Sequence, residues 1–109
     1  MRVQFASLIV LFAAAVGRAD SKEEVAKTDV RNFTKVIEFY KTKRGNFPAE
    51  LADLKTAGYV DPKTTFLDPW GNPYQYDAKG KHNGGKRPDV WAVTPDKKEI
   101  GNWEGNETK

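Results

Sequence analysis

Residues 20–48 read DSKEEVAKTDVRNFTKVIEFYKTKRGNFP, and the periodicity of this stretch decides the fold. Ala26, Val30, Phe33, Ile37 and Tyr40 recur at alternating intervals of four and three, the spacing of one apolar helix face, and Val36 widens that stripe. Ser21 followed by Glu24 forms a capping box, and Asp20, Glu23 and Glu24 place negative charge at the positive end of the helix dipole. Gly45 is a C-terminal stop, and Pro48 opposes continuation past Phe47. The stretch predicts one helix of about five turns. Lys27, Asp29, Arg31, Lys35, Glu38 and Lys41 then form its solvated back, and the basic run KTKR, 41–44, complements the dipole at its end.

Downstream, PAELADLKTAGYVDP predicts a second, short helix with Pro48 in its first turn, Leu51 and Leu54 facing inward and Gly58 at its end. KTTFLDPWGNPYQYD turns at Asp68-Pro69-Trp70-Gly71, residues that suit a type I turn. Pro73 holds Asn72 extended, so the chain leaves the turn as a strand with Tyr74 and Tyr76 on one face and Gln75 opposite. Trp70 is expected to plug the core at this corner. AKGKHNGGKRP, 78–88, has no apolar pattern and predicts an exposed hairpin loop. DVWAVTP alternates Val90, Ala92 and Thr94 against Trp91 and Val93; EIGNWE supplies a last strand, and residues 105–109 a frayed tail. Helices first and strands second, with connections too short for parallel crossovers, predict an α+β fold: a long helix and a short helix packed on an antiparallel sheet of about three strands.

Upstream, MRVQFASLIVLFAAAVGRAD carries Arg2, an apolar run over 5–16 and small residues before Ala19. These are the parts of a signal peptide, so residues 1–19 are expected to be cleaved after Ala19 and 20–104 to form the exported domain. The run is short for a membrane span, and an uncleaved anchor in the inner membrane is the alternative. Of the 109 residues, 18 are Lys or Arg and 15 Asp or Glu; cleavage removes Arg2 and Arg18 and no acid, leaving 16 against 15. A surface of mixed sign argues against a nucleic-acid partner. With no cysteine there is neither a disulfide nor a lipid-attachment thiol, which fits a bacterial periplasm or exterior.

Candidate chemistry is sparse. His82 is the sole histidine and lies in GKHNGG, a segment with nothing rigid to hold an imidazole for catalysis. No nucleophile elbow, metalloprotease helix or phosphate loop is present, so no enzymatic activity is expected. Trp70, Trp91 and Trp103 offer rigid contact area for a sugar or peptide, although strand and corner tryptophans more often fill a core. TPDKKEIGNWE sets Asp96 and Glu99 on either side of a tight turn, and two carboxylates with loop carbonyls suit a hard cation such as Ca²⁺. Lys97 and Lys98 between them equally suit a charge-balanced exposed turn.

VIEFYKTKRGNFP, LADLKTAGYV, DPWGNPYQY and EIGNW together resemble the globular part of the major pseudopilin of type II secretion systems, over about residues 22–103. The resemblance implies a long helix on a small antiparallel sheet, no catalysis, and secretion-system proteins as partners. It also implies Ca²⁺ in the loop before the last strand, with Asp96 and Glu99 at the acidic positions and Val93 offering its backbone carbonyl. The chain departs from that pattern in its shorter loop, in Glu99 where the family has Asp, and in Lys97 and Lys98. Its first residues also lack the Gly-Phe processing site and the acid of the family's apolar helix. The leading expectation is therefore an exported, non-enzymatic domain, free of the membrane after cleavage and acting by protein contact. A membrane-anchored pseudopilus subunit with an atypical start, and a secreted module binding a ligand through exposed tryptophans, are the alternatives.

Overall fold

The computed structural model describes residues 21–103, so the expected signal peptide and the 105–109 tail lie outside the described residues. Helix α1, Lys22–Arg44, runs for 23 residues, more than six turns and longer than its periodicity alone suggested. Its start is held as the capping pattern requires, the Glu24 N–H donating to Ser21 Oγ at 3.1 Å. The Glu24 carboxylate does not complete the box but turns to Lys27 Nζ at 3.5 Å. At the other end Gly45 adopts φ 90° and its N–H donates to the Lys41 carbonyl at 2.7 Å, a left-handed cap that a side chain would strain.

Helix α2, Ala52–Thr56, is shorter than expected and begins four residues after Pro48. The reason is Asp53: its Oδ2 accepts the Ala49 and Glu50 N–H groups at 3.0 and 3.3 Å, closing a separate turn after the proline. Pro48 is thus a buried spacer instead of a first-turn residue. Leu51 and Leu54 are buried as their spacing predicts.

The Asp68 corner follows the turn chemistry read from its sequence. The Gly71 N–H donates to the Asp68 carbonyl at 3.0 Å, and Asp68 Oδ1 accepts the Trp70 and Asn72 N–H groups at 3.0 and 2.9 Å. Flanking bonds from Asp68 N to Asn72 O and from Tyr74 N to Phe66 O make the corner a miniature hairpin. Trp70 is half-buried against the core, plugging the corner in part.

Three strands follow: β1, Gln75–Asp77; β2, Asp89–Val93; and β3, Glu99–Gly101. They form an antiparallel meander in the order β1-β2-β3, with Tyr76 opposite Val90, and Ala92 opposite Ile100. Val90, Ala92 and Ile100 point at α1 and are buried with Ala26, Val30, Phe33, Val36 and Ile37. The core is this single layer between helix and sheet, finished by Phe33 against Phe66 and edge-on to Tyr74 at 5.2 Å. Tyr76, on the same face as Tyr74, donates its hydroxyl to the Pro48 carbonyl at 2.6 Å and ties the sheet to the connection between the helices. Among the described residues no helix is long and apolar enough to cross a membrane.

Candidate functional site

The β2–β3 turn carries the acids that the sequence offers to a cation. Thr94 closes it: its N–H donates to Lys98 O, its carbonyl accepts from Lys97 N, and its hydroxyl accepts the Lys98 N–H at 3.0 Å. The hydroxyl proton goes to Asp96 Oδ1, and this bond holds the Asp96 carboxyl below the usual carboxylate range. Lys97 takes the left-handed φ of 72° that so tight a turn demands. Val93 and Glu99 face each other in the ladder, so the structure brings those two together, while Asp96 stands on the turn above them. Lys98 reaches back to α1, its ammonium 2.9 Å from Glu23 Oε1, a contact that raises its pKa. Among the described residues no three His, Cys, Asp or Glu side chains gather into a metal-binding group.

A second polar centre lies in the predicted exposed hairpin loop, 78–88. Residues 81–83 form a 3₁₀ turn, and the completely buried carboxylate of Asp89 organises it. Asp89 Oδ2 accepts the His82 backbone N–H at 2.8 Å and faces His82 Nδ1 at 3.0 Å, while Oδ1 accepts from Asn83 Nδ2 at 2.7 Å. The expectation that nothing rigid holds His82 is therefore corrected. Its ring stacks on Trp103 at 4.2 Å between centroids, and Trp91 meets Trp103 edge-on at 5.8 Å. Asn102 extends the cluster: its Oδ1 accepts from Asn83 Nδ2 and Val90 N, and its Nδ2 donates to Pro88 O and Thr34 Oγ1, each at 3.1 Å. One buried amide thus joins β3, the 81–83 turn, the start of β2 and α1.

The tryptophans are occupied with the fold: Trp103 is buried, and Trp70 and Trp91 are half-buried. Asp29 is also misplaced by periodicity, since it is half-buried and accepts the Tyr74 hydroxyl at 2.7 Å. Burial pushes its carboxyl from 3.8 up to about 6, the Tyr74 bond only partly opposing the shift. A carboxyl with a raised folded-state pKa binds its proton more tightly folded than unfolded, so its ionisation costs stability as pH rises from about 4 to 6, and the full cost is present above that window. Asp29→Asn keeps an acceptor for Tyr74 and removes the charge. It is expected to raise stability at pH 7.5 by about 1 kcal/mol, discounted for the solvent still reaching the group, and to have no such effect at pH 4. Urea denaturation of both proteins at the two pH values checks this; an equal difference at both would refute it.

These polar groups hold turns and join elements, and a long helix laid on a three-stranded antiparallel meander in this way makes a small α+β domain. The family model for the type II secretion system protein G matches residues 15–108. The type II secretion system core protein G of Pseudomonas aeruginosa is 32% identical over 107 residues, an alignment covering 77% of this chain and 72% of that protein. The chain belongs to the type II secretion system protein G family, a family of structural, envelope-associated secretion components and not of enzymes. No solved structure matches it significantly.

Of the residues singled out in the sequence, the structure juxtaposes Val93 with Glu99 and corrects the setting of His82 and Asp29. Asn83, Asp89, Asn102 and Thr34 were missed as a group. Their traces in the sequence are the EIGNW match, which contains Asn102, and Asp89, which flanks His82 seven residues on.

Proposed function

We propose that this chain is an exported, non-enzymatic pseudopilin domain that acts through protein–protein contacts, released to the periplasm or exterior by cleavage after Ala19. The observation that carries the reading is the family match, which takes in all of α1 and the whole meander. Within that family, contact with other secretion-system components is the work such a domain performs. N-terminal sequencing with cell fractionation is the test: a chain beginning at Asp20 in the soluble fraction is expected. A second reading, an anchored pseudopilus subunit, is favoured by one specific observation, that the match begins at residue 15 inside the apolar run. Recovery of a membrane-bound chain that retains residues 5–16 would establish the second reading and overturn the first.

The same proposal includes Ca²⁺ at the β2–β3 turn, held by the carboxylates of Asp96 and Glu99 and the carbonyl of Val93. The donors fit in kind, since all are oxygens, and both acids are exposed. A bound cation would cross-brace the two arms of the turn. The small donor set implies weak binding with water completing the shell, in the range of about 0.1–1 mM typical of extracellular sites. At about ten times that Kd, binding to the folded state alone contributes about 1.4 kcal/mol, a rise of several degrees in Tm. Thermal melts with Ca²⁺ and with chelator should show the rise in the parent and lose it in Asp96→Asn/Glu99→Gln. An unchanged midpoint at about 5 mM Ca²⁺ would exclude the site.

A further inference from the structure

The face of α1 read as its solvated back is, in three dimensions, one wall of a cleft. Lys27, Arg31 and Lys35 stand on that wall and Arg87 on the opposite one, enclosing an open volume of about 230 Å³. Among the described residues, four cations and one acid, Glu38, line the cleft, with Glu24 beside Lys27, whereas residues 20–109 as a whole carry 16 cations against 15 acids. Positive charge is therefore concentrated in this cleft and offset elsewhere. Arg87 is already placed by Glu38 at 3.4 Å and by the Asn102 carbonyl, and Lys27 by Glu24 at 3.5 Å. Arg31 and Lys35 are exposed and have no ion pair among the described residues. The floor is rigid, because Thr34 and Asn102 bond across it at 3.1 Å. A site so prearranged loses little freedom on binding.

We propose that this cleft docks an extended acidic segment of another protein, with carboxylates at alternate positions. The spacing supports that shape. Lys27, Arg31 and Lys35 follow one another every four residues, about 6 Å of helix rise per step. In an extended chain, side chains on one face repeat every ~6.7 Å, so alternate acids meet successive cations. A compact anion would engage one or two of these charges; an extended segment engages the row. The inference rests on reading the chain as a protein-contact domain. It is tested on the purified full chain, so the outcome of the export experiment does not bear on it, nor its outcome on export.

The probe is a fluorescent peptide alternating Glu and Ser, followed by anisotropy at low and moderate salt, against a peptide of the same composition with its Glu residues in one block. The alternating peptide is expected to bind at least about fivefold more tightly. Arg31→Glu/Lys35→Glu should weaken it by at least about tenfold, whereas Lys41→Glu/Lys43→Glu, of equal charge change on the same helix, should change it less than about twofold. Arg31→Ala/Lys35→Ala repeats the test without reversed charge, and melts of all variants verify the fold. No binding, equal weakening by the two charge-reversal pairs, or equal affinity for both peptides would overturn the proposal. So would sedimentation showing that Arg31 and Lys35 hold two copies of the chain together, or binding to anionic vesicles that the alternating peptide fails to displace.

Discussion

Asp89→Ala is expected to cost about 4 kcal/mol and to lower Tm on the order of 20 °C. The carboxylate has no solvent contact and satisfies two backbone or side-chain donors of His82 and one of Asn83. Truncation leaves those donors facing an apolar gap, and a buried donor without its partner loses about 1–3 kcal/mol. The 81–83 turn then loses its anchor to β2, and Asn83 its orientation toward Asn102. Asp89→Asn should fall between parent and alanine variant, because its amide retains one acceptor while its NH₂ opposes a donor. Denaturation followed by tryptophan emission measures both. A loss under about 1 kcal/mol for the alanine variant would mean that the turn is held by other contacts.

Gly101→Ala is expected to cost about 3 kcal/mol, although one methyl is added to a backbone of ordinary φ. A Cβ at that position would lie only 2.3 Å from Cζ3 of Trp103 and 2.4 Å from its Cη2. The indole cannot yield cheaply, since it is buried and stacked on His82. It must leave the stack, expose area and disturb its edge contact with Trp91. The emission maximum should therefore shift to longer wavelength in the folded variant, together with the lower midpoint. An unshifted spectrum and an unchanged midpoint would show that β3 can move away from the ring. Glycine here provides space for a neighbour, in contrast to Gly45, where it supplies a left-handed φ.

Both effects come from contacts that have no local signal in the sequence. Gly101 and Trp103 are two residues apart in EIGNW, yet nothing in that spacing says that the indole folds back over the glycine. Thr34, Asn83, Asp89 and Asn102 are scattered over 69 positions and follow no period. Their hydrogen bonds exist only because the meander folds onto α1. Asp29 teaches the same point in reverse: helix periodicity assigns it to the charged back, and Tyr74, 45 residues later, covers it. Pro48 looked like a helix start until Asp53 captured the N–H groups that follow it. At the β2–β3 turn, sequence named the two acids, but the bond between Thr94 and Asp96 and the reach of Lys98 to Glu23 depend on the folded turn.

By itself the sequence determined the order of elements, the inward face of α1 with both its caps, the Asp68 corner, the alternation along β2 and the family resemblance. Each rests on a short-range cause: a helical or strand period, a restricted φ at proline, or a side chain bonding backbone a few residues away. Only the tertiary structure decided which polar groups lose their water, that an exposed-looking loop is pinned by a buried carboxylate, and that the cations of α1 share a cleft with Arg87. Desolvation and charge proximity depend on the distance between groups in space, and residues far apart in the chain carry no local signal of that distance.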